Sequence, residues 1–368
     1  MSTTRPDVSI LAPLKAWGGL ERKFLILCDE FLRVGVQPEL VQLRGGGKPY
    51  PELLPANVGY YDLGSRSKRD GVPQFARYLK ERRPRVVLTA KDHAAQVALL
   101  GRALARDATP IFVKLTNMPS VVIRRRVQRF AARRLYRRAD GVVAISEGVA
   151  QDARDFLGVD SSRLHLIYNP MVTRDFETRL RGSLEHPWFE PARDHAVLVA
   201  AGRLAQQKDF ATLINAFSRL HNPSAVRLVI LGEGIERARL EDQARQLGVD
   251  AYIDLPGVVE DPVPYMKAAD VFVLSSRYEG LGNVLVEALA SGTRLVATDC
   301  PSGPREILRD GRYGRLVPPG DSDSLGRAIE AALTEPRPDG STIDDAVERF
   351  KAAEVAAEYL RVLGLATA

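Results

Sequence analysis

The chain has 368 residues, of which 45% are hydrophobic and 27% are charged. These values are typical of a globular protein long enough for two domains, and no apolar run approaches the roughly 20 residues of a membrane-spanning helix. The net charge of +6 indicates an anionic partner, and nucleic acid, a membrane surface and phosphorylated substrates all fit it.

Two further features indicate a cytoplasmic protein. The polar residues Met1–Asp7 run straight into an apolar stretch, so we expect no secretory signal. Cys28 and Cys300 lie far apart and lack metal-type spacing, which predicts buried thiols in a reducing compartment.

Short apolar runs alternate with helical patterns through the first half of the chain. The runs predict strands at Val8–Ala12, Glu39–Leu43, Val58–Leu63, Arg85–Ala90, Pro110–Leu115, Gly141–Ser146 and Leu164–Tyr168. The helical patterns lie at about Gly18–Leu32, Val72–Arg82, His93–Ala105, Val121–Arg138 and Glu147–Leu157. This alternation predicts a mostly parallel sheet that is covered on both faces by helices.

The second half repeats the same alternation independently. It predicts strands at Ala196–Ala201, Val226–Leu231, Tyr252–Leu255, Asp270–Ser275 and Arg294–Thr298. It predicts helices near Phe210–Leu220, Ile235–Leu247, Pro262–Ala269, Asn283–Ser291 and Ser324–Leu333. The expected fold class is therefore α/β, with two doubly wound, Rossmann-like domains facing each other across a ligand-binding cleft.

We place the domain boundaries by composition. Residues 1–180 form an N-terminal domain, residues 181–195 a polar linker that carries two prolines, and residues 196–340 a C-terminal domain. The remaining residues, 341–368, end in a helix over about Ile343–Leu363 that can cross back to either domain.

The stretch from Ser275 to Gly292 carries the clearest chemical signal. An apolar strand ends in a loop that contains Glu279 and Gly282, and a helix with Glu287 follows. A glycine-bearing loop before a helix presents free backbone N–H groups and the positive end of the helix dipole, which together attract a phosphate. Nearby acids can accept hydrogen bonds from sugar hydroxyls. Taken alone, the two acids also fit a helix-start acid and a solvated helix face.

Other loops that contain glycine and charged residues also follow predicted strands. Gly202-Arg203 with Lys208 suits a pyrophosphate, because the two cations can neutralise the charge that grows on a leaving phosphate; alone, the pair also fits two surface cations. Gly232-Glu233-Gly234 alone is better explained as a turn. Ser302–Glu306 ends a further strand. Because the carboxyl ends of parallel strands share one edge, these loops together favour a binding site.

These motifs resemble a known family. Gly202-Arg203 with Lys208, Gly232-Glu233-Gly234, and Glu279 followed eight residues later by Glu287 are similar to the motifs of retaining glycosyltransferases of family 4, of the bacterial surface-glycan type. The stretches Cys300–Glu306 and Asn169-Pro170 are similar as well. The resemblance covers most of the chain and is strongest from Val197 to Val317. It implies the GT-B fold and transfer of a sugar from a nucleotide sugar, with uridine the commonest base, to a glycan or lipid-linked acceptor.

The resemblance implies that the N-terminal domain, residues 1–180, binds the acceptor and that the C-terminal domain, residues 196–340, binds the nucleotide sugar. It also implies roles for residues in the second half. Arg203 and Lys208, beside Gly202, would bind the donor pyrophosphate. Glu279 would contact the hydroxyls of the donor sugar, and Glu287 would hold the ribose hydroxyls.

The remaining implied contacts come from backbone and loops. Leu281, Gly282 and Asn283 would meet the phosphates and the sugar, and Gly257 with Val258 would flank the base. Gly18 and Gly19 of the first domain would close over the phosphate. In this family the acceptor hydroxyl attacks from the face that the leaving group vacates, and a phosphate oxygen takes its proton. No enzymic nucleophile, cofactor or metal is then required.

One departure from the family concerns a histidine. Many relatives carry a histidine where this chain has Thr116, with Asn117 next to it. His93 is a possible substitute, although a histidine at the start of a helix explains it better. The sugar contact that the histidine makes in relatives is therefore open.

Asp321-Ser322-Asp323 fits a metal pair in principle, but it directly precedes a helix, where Asp and Ser are ordinary caps. We predict a cap and no metal site.

The segment Val121–Arg138 is strongly basic. It contains eight arginines and no acid, and Ile123, Val127, Phe130, Ala131 and Leu135 recur at helical spacing. A helix packed on the core with a solvated basic face and a helix that docks on anionic lipid are both consistent with it. Nucleic acid fits poorly, because interleaved aromatic residues are missing. Since the resembled family often acts on lipid-linked acceptors at the membrane, we favour peripheral docking.

Two other functions remain open on the sequence. The first is another GT-B enzyme, such as a nucleotide-sugar epimerase or a phosphorylase, although we see no signature for the pyridoxal-phosphate lysine of the latter. The second is a degenerate module that binds a nucleotide or a lipid without catalysis.

Overall fold

The computed structural model describes residues 5–14, 19–44, 54–55, 57–190 and 192–366. The chain divides into two compact units. The first unit combines Met1–Pro170 with Phe350–Ala368, and the second unit is Met171–Arg349. The C-terminal helix therefore belongs to the first unit.

The first unit is built on a seven-stranded sheet in which all neighbouring strands are parallel. The strand order is β3-β2-β1-β4-β5-β6-β7. The strands are β1 (Val8–Ala12), β2 (Pro38–Arg44), β3 (Gly59–Ser65), β4 (Val86–Ala90), β5 (Ile111–Leu115), β6 (Gly141–Ala144) and β7 (Leu164–Leu166). Strands β1, β4 and β5 are buried throughout, as expected for continuous apolar runs with both faces covered.

Helices cover this sheet. They are α1 (Gly19–Arg33), α2 (Lys68–Arg82), α3 (Asp92–Ala105), α4 (Pro119–Val122), α5 (Arg126–Tyr136), α6 (Glu147–Asp152) and, from the end of the chain, α15 (Ala352–Val362). Phe24, Leu27 and Phe31 of α1 share one core with Val355 and Tyr359 of α15. The last helix thus completes the apolar cover of β1 and β4.

The second unit has a six-stranded parallel sheet in the order β10-β9-β8-β11-β12-β13. The strands are β8 (Ala196–Ala201), β9 (Val226–Leu231), β10 (Ile253–Gly257), β11 (Val271–Leu274), β12 (Arg294–Thr298) and β13 (Arg315–Val317). Val199 of β8 pairs with Val229 on one side and Phe272 on the other. Chain order reverses between β8 and β11, and such a switch point opens a crevice at the carboxyl ends of the strands.

Eight helices are described in this unit: α7 (Phe176–Arg179), α8 (Phe210–Ser218), α9 (Arg237–Gln246), α10 (Val263–Ala268), α11 (Asn283–Ala290), α12 (Pro304–Ile307), α13 (Ser322–Thr334) and α14 (Gly340–Val347). Its core joins the sheet to α8, α9 and α13 through Leu213, Phe217, Leu240 and Ile329. Asp321 caps α13 by accepting a hydrogen bond from the Ser324 N–H at 2.9 Å, as predicted. None of the helices in the described part of the chain has the length and hydropathy to cross a bilayer.

Two element predictions are wrong, and one strand was missed. The helix expected over Val121–Arg138 is broken, because Ile123 and Arg125 adopt extended backbone between α4 and α5. The helix expected over Ile343–Leu363 is two helices, separated by a 3₁₀ turn at Glu348–Phe350 and by the extended Lys351. Strand β13 was not predicted, since its three residues are too few to show a periodic pattern.

Candidate active site

Lys208 and Glu279 meet at the switch point of the second sheet. The Lys208 Nζ donates to Glu279 Oε1 at 2.7 Å, and the two side chains are only 14% and 9% exposed. The hydroxyl of Ser276 donates to the same carboxylate oxygen at 2.7 Å. Two residues from loops after neighbouring strands thus form one ion pair at the sheet edge where the sequence predicts an anion site.

Hydrogen bonds join these two loops along their backbones. The Arg277 N–H donates to the Gln207 carbonyl at 2.8 Å, and the Gln207 side chain donates to the Tyr278 carbonyl at 3.0 Å. Ser275 donates from its hydroxyl to the Lys208 carbonyl at 2.8 Å. This network holds the loops that carry Lys208 and Glu279 against each other.

Close backbone approaches explain two of the glycines. Gly232 has φ +139°, and a Cβ there would lie 2.0 Å from the Gly202 carbonyl oxygen. Gly303 has φ +99°, and its Cβ would lie 1.8 Å from the Leu281 oxygen. Only glycine fits these positions, so the loops after β8, β9, β11 and β12 pack against one another.

The start of α11 lies next to Glu279 in the chain. Gly282 is its N-cap with φ +93°, Asn283 is its first helical residue, and Leu281 before them is 1% exposed. The backbone N–H groups of a first turn lack partners within the helix. The phosphate contact predicted for this segment stays a prediction.

Glu287 lies in α11 and contacts an arginine that sequence reasoning missed. Arg179 donates through Nη2 to Glu287 Oε1 at 3.2 Å and makes two bonds to Asp261 at 2.7 and 2.8 Å. Burial opposes the charge on Arg179, but the two carboxylates outweigh burial and hold the pKa of Arg179 above its usual value. Arg179 thereby orients Glu287. No sequence signal identified Arg179, because it lies in the four-residue helix α7 outside any motif.

Other predicted site residues occupy the same edge of the second sheet. Arg203 directly follows Gly202 after β8 and is exposed. Gly257 ends β10, and the next residue, Val258, is 78% exposed.

The predicted contact in the first unit concerns Gly18 and Gly19. Gly19 begins α1, whereas Gly18 lies outside the described residues. The roles of all these residues stay predictions.

The two cysteines are buried thiols. Both Cys28 and Cys300 are free and buried, as predicted. Burial and the neighbouring Glu279 raise the pKa of Cys300 to about 12, so its thiol stays protonated. Within the described ranges, no three His, Cys, Asp or Glu side chains are grouped so that they could hold a metal ion.

The basic segment of the first unit exposes its apolar residues. Val127 and Phe130 of α5 are 80% and 69% exposed, and Val122 of α4 is 57% exposed. Only Ala132 and Tyr136 of α5 are buried. The alternative that the whole apolar stripe packs on the core is therefore wrong for these residues.

One arginine of the segment, Arg129, has a structural role. Arg129 donates to the Phe156 carbonyl at 3.0 Å, and its guanidinium lies 4.3 Å from the centre of the Phe156 ring. The remaining exposed arginines are Arg124, Arg125, Arg126, Arg134, Arg137 and Arg138. They flank the exposed Val127 and Phe130, so this surface combines apolar side chains with positive charge.

Comparisons with known proteins indicate the family of this chain. Residues 17–174 match the family model described as glycosyltransferase family 4, and residues 195–335 match the model described as glycosyl transferases group 1. The lipopolysaccharide core biosynthesis glycosyltransferase LpsE of Rhizobium meliloti is 36% identical over 54% of this chain and 56% of its own length. An N-acetylgalactosaminyltransferase of Campylobacter jejuni, whose name gives a sugar on diphospho-undecaprenol as the acceptor, is 29% identical over 65% of this chain and 64% of its own length. This chain thus spans less than two thirds of either relative.

Solved structures share the fold over almost the whole chain. The lipopolysaccharide outer core galactosyltransferase WaaB superposes with a TM-score of 0.76 at 20% identity, over 97% of this chain and 99% of that chain. HepE of Anabaena in complex with UDP and glucose superposes with a TM-score of 0.78, also at 20% identity and with the same coverage. The fold is therefore GT-B, as predicted. The chain belongs to glycosyltransferase family 4.

Proposed function

We propose that this chain is a retaining glycosyltransferase that uses a UDP-sugar as donor and a lipid-linked glycan precursor as acceptor, in the synthesis of a bacterial surface glycan. The observation that carries the proposal is the Lys208–Glu279 pair at the switch point of the second sheet, 2.7 Å apart. An ammonium has three N–H donors, so the bond to Glu279 leaves donors for a phosphate oxygen. Arg203 adds a second cation at the same edge.

Each residue then has a defined task. Lys208 and Arg203 neutralise the charge that develops on the leaving diphosphate. Glu279 accepts hydrogen bonds from the donor sugar, and Glu287, oriented by Arg179, accepts them from the ribose hydroxyls. The acceptor hydroxyl attacks the anomeric carbon from the face that the diphosphate leaves, and its proton passes to a phosphate oxygen. The C–O bond to the diphosphate breaks and a new glycosidic bond forms with the same configuration.

The names of relatives support the choice of substrates. HepE was solved with UDP, with UDP and glucose, and with UDP-glucose. The Campylobacter relative is named for an acceptor that carries a diphospho-undecaprenol. Both substrates are anionic, which accords with the positive charge of this chain.

A donor screen tests the proposal. The purified protein is titrated with UDP-, GDP- and ADP-sugars, and UDP release is then measured with and without a lipid-linked acceptor. We expect stabilisation by a UDP-sugar that Arg203→Ala abolishes, and UDP release that rises with acceptor and gives a product of retained configuration by NMR. Release that needs no acceptor and yields a free or epimerised sugar would favour an epimerase. Nucleotide binding without turnover would favour a non-catalytic module.

A second proposal concerns localisation. We infer that α4 and α5 dock on the anionic inner face of the plasma membrane, which makes the protein peripheral and cytoplasmic. Exposed Val122, Val127 and Phe130 can insert among acyl chains while the surrounding arginines contact lipid phosphates. Binding to vesicles that weakens as salt rises would support this docking. Equal binding to neutral and anionic vesicles would contradict it.

A further inference from the structure

A cavity of about 650 Å³ lies at the amino ends of β4 and β5 in the first unit. Its lining contains Arg85, which directly precedes β4, and Pro110, which directly precedes β5. We call it the amino-edge cavity. In a parallel sheet the amino ends of the strands lie at the opposite edge from the carboxyl ends, where the ligands of such folds bind. The amino-edge cavity is therefore separate from the edge that holds Thr116, and it belongs to the other unit from the proposed donor site.

The lining of the amino-edge cavity is positively charged. Its exposed cationic residues are Arg5, Lys80, Arg83 and Arg85. The one acid in the lining, Asp107, already accepts a hydrogen bond from the Thr109 N–H at 2.7 Å. A second acid nearby, Asp7, pairs with Arg85 at 3.2 Å. The cations remain in excess when both acids are counted, and this balance favours an anion as the ligand.

Two of the cations are held in place, and two have side chains available for a ligand. Arg5 donates through Nε to the Arg83 carbonyl at 2.6 Å, and Arg85 is oriented by its pair with Asp7. A guanidinium has further N–H donors, so both arginines can still bind an anion. Among the residues that the structure describes, the side chains of Lys80 and Arg83 form no hydrogen bond or ion pair.

The backbone of Arg83 is unfavourable for an arginine. Arg83 follows the last residue of α2 with φ +48° and ψ 52°, and its N–H donates to the Leu79 carbonyl. Glycine is the usual residue in this left-handed position, because a Cβ makes it costly. Retained strain of this kind often accompanies function. A cation at a helix end also interacts favourably with the helix dipole, and Arg106 ends α3 in the same conformation. The two explanations predict different behaviour of a glycine variant.

We propose that the amino-edge cavity binds an anion with at least two linked phosphate groups, at a site separate from those used in sugar transfer. Guanidinium groups match the oxygens of phosphate with paired N–H donors. Linked phosphates place several negative charges within a few bonds, which suits four cations around one cavity. A peptide strand instead spreads its acidic side chains along the chain and alternates them between two faces. Since the described lining includes no aromatic residue on which a base could stack, the phosphates themselves are recognised.

Calorimetry with inorganic triphosphate tests this inference. The titrations use the Arg203→Ala protein, so that the cations of the proposed donor site contribute less. We expect triphosphate to bind at least about tenfold more tightly than inorganic phosphate, because a single phosphate reaches fewer of the cations. ATP should bind about as tightly as triphosphate. Lys80→Gln combined with Arg83→Gly should weaken triphosphate binding at least about tenfold.

A matched pair on the same helix makes the result specific. Arg69→Gln combined with Arg77→Gln removes the same charge from exposed positions of α2 that do not line the cavity, and this variant should bind triphosphate like the parent protein. Equal weakening by both pairs would show diffuse attraction and overturn the proposal. Equal affinity for phosphate and triphosphate would overturn it too. Much tighter binding of ATP, or binding of hexaglutamate as tight as that of triphosphate, would overturn the assignment to linked phosphates.

The single variant Arg83→Gly separates a binding role from a role in ending the helix. Glycine adopts the left-handed conformation readily and keeps both backbone hydrogen bonds of this residue. The urea midpoint should therefore not fall, while triphosphate affinity should. If Arg83 only stabilises the end of α2, the variant should bind triphosphate like the parent protein, and the proposal fails. None of these measurements uses sugar transfer, so their outcome does not depend on the proposed function.

Discussion

The ammonium of Lys208 and the carboxylate of Glu279 lie 2.7 Å apart and connect the loops after β8 and β11, the two strands between which the chain order of the second sheet reverses. Because both side chains are largely shielded from water, the pair has a structural role as well as the proposed role in donor binding. These two roles make different predictions, and suitable variants can separate them.

The first prediction concerns Glu279→Gln. The amide keeps the shape of the Glu279 side chain and can still accept a hydrogen bond from Lys208, so the variant should fold. The rate of sugar transfer should fall roughly 100-fold or more, because the negative charge facing the donor is lost. Single-turnover transfer assays and thermal unfolding measure the two effects. Glu354→Gln, at an exposed position of α15, is the matched control. Turnover near that of the parent protein would show that Glu279 has no role in sugar transfer.

The same pair predicts a coupling in stability. Lys208→Met leaves Glu279 charged and shielded without its cation, which should cost roughly 3 kcal/mol, since breaking a buried pair on one side is strongly destabilising. Adding Glu279→Gln to Lys208→Met should recover part of this loss. Urea unfolding of the two single variants and the double variant gives the coupling energy. If the changes in the free energy of unfolding of the two single variants were strictly additive, the ion pair would contribute nothing to stability.

A third prediction concerns Arg179, which acts on the ribose through Glu287. Arg179→Ala should weaken UDP binding about tenfold and raise KM more than it lowers kcat, because a charged hydrogen bond that orients Glu287 is lost. The variant should also discriminate less between UDP and 2′-deoxy-UDP, as Glu287→Gln should. Arg181→Ala, at an exposed position two residues away, is the control. An equal loss of affinity for both nucleotides would indicate a general structural role instead.

The loops of the second unit were predictable because each follows a strand whose apolar run is unmistakable, and parallel strands bring their carboxyl ends together. That Lys208 binds Glu279 directly was not predictable, since a separation of 71 residues carries no information about distance. Periodicity placed an apolar stripe on α5 but could not show which face is buried. Val127 and Phe130 match a core pattern and yet are exposed. The spacing of the apolar residues also did not reveal that Ile123 and Arg125 adopt extended backbone between α4 and α5.

The exposed face of α5 gives a fourth prediction. Val127→Ser combined with Phe130→Ser should weaken binding to phosphatidylglycerol vesicles at least about tenfold, because each inserted side chain contributes roughly 1.5–3 kcal/mol. Val34→Ser with Leu104→Ser removes apolar residues that are 54% and 59% exposed elsewhere and is the control. Vesicle flotation measures the effect, and unchanged flotation of the α5 variant would contradict docking through this face.

The last prediction concerns Lys114 in β5. Its side chain is buried, and its Nζ has no hydrogen-bond partner among the residues that the structure describes. The Nζ lies 5.2 Å from the centre of the Tyr359 ring. Burial and the nearby Lys23 lower the pKa of Lys114 from 10.5 to about 7. Between pH 7 and 10.5 the unfolded chain therefore binds more protons at this position than the folded chain, so stability should rise with pH across that window. Below pH 7 both states carry the proton, and the full cost of burying the charge remains.

Lys114→Met should remove this cost. The variant should be more stable than the parent protein at pH 6.5, by roughly 3–5 kcal/mol for a shift of this size, and the difference should shrink as pH approaches 10. Urea unfolding at several pH values measures it, and only the difference between the two proteins is compared, because other groups titrate in the same range. Lys80→Met, at an exposed position of α2, should show no such trend. If the difference in unfolding free energy between Lys114→Met and the parent protein did not depend on pH, folding would leave the pKa of Lys114 unchanged.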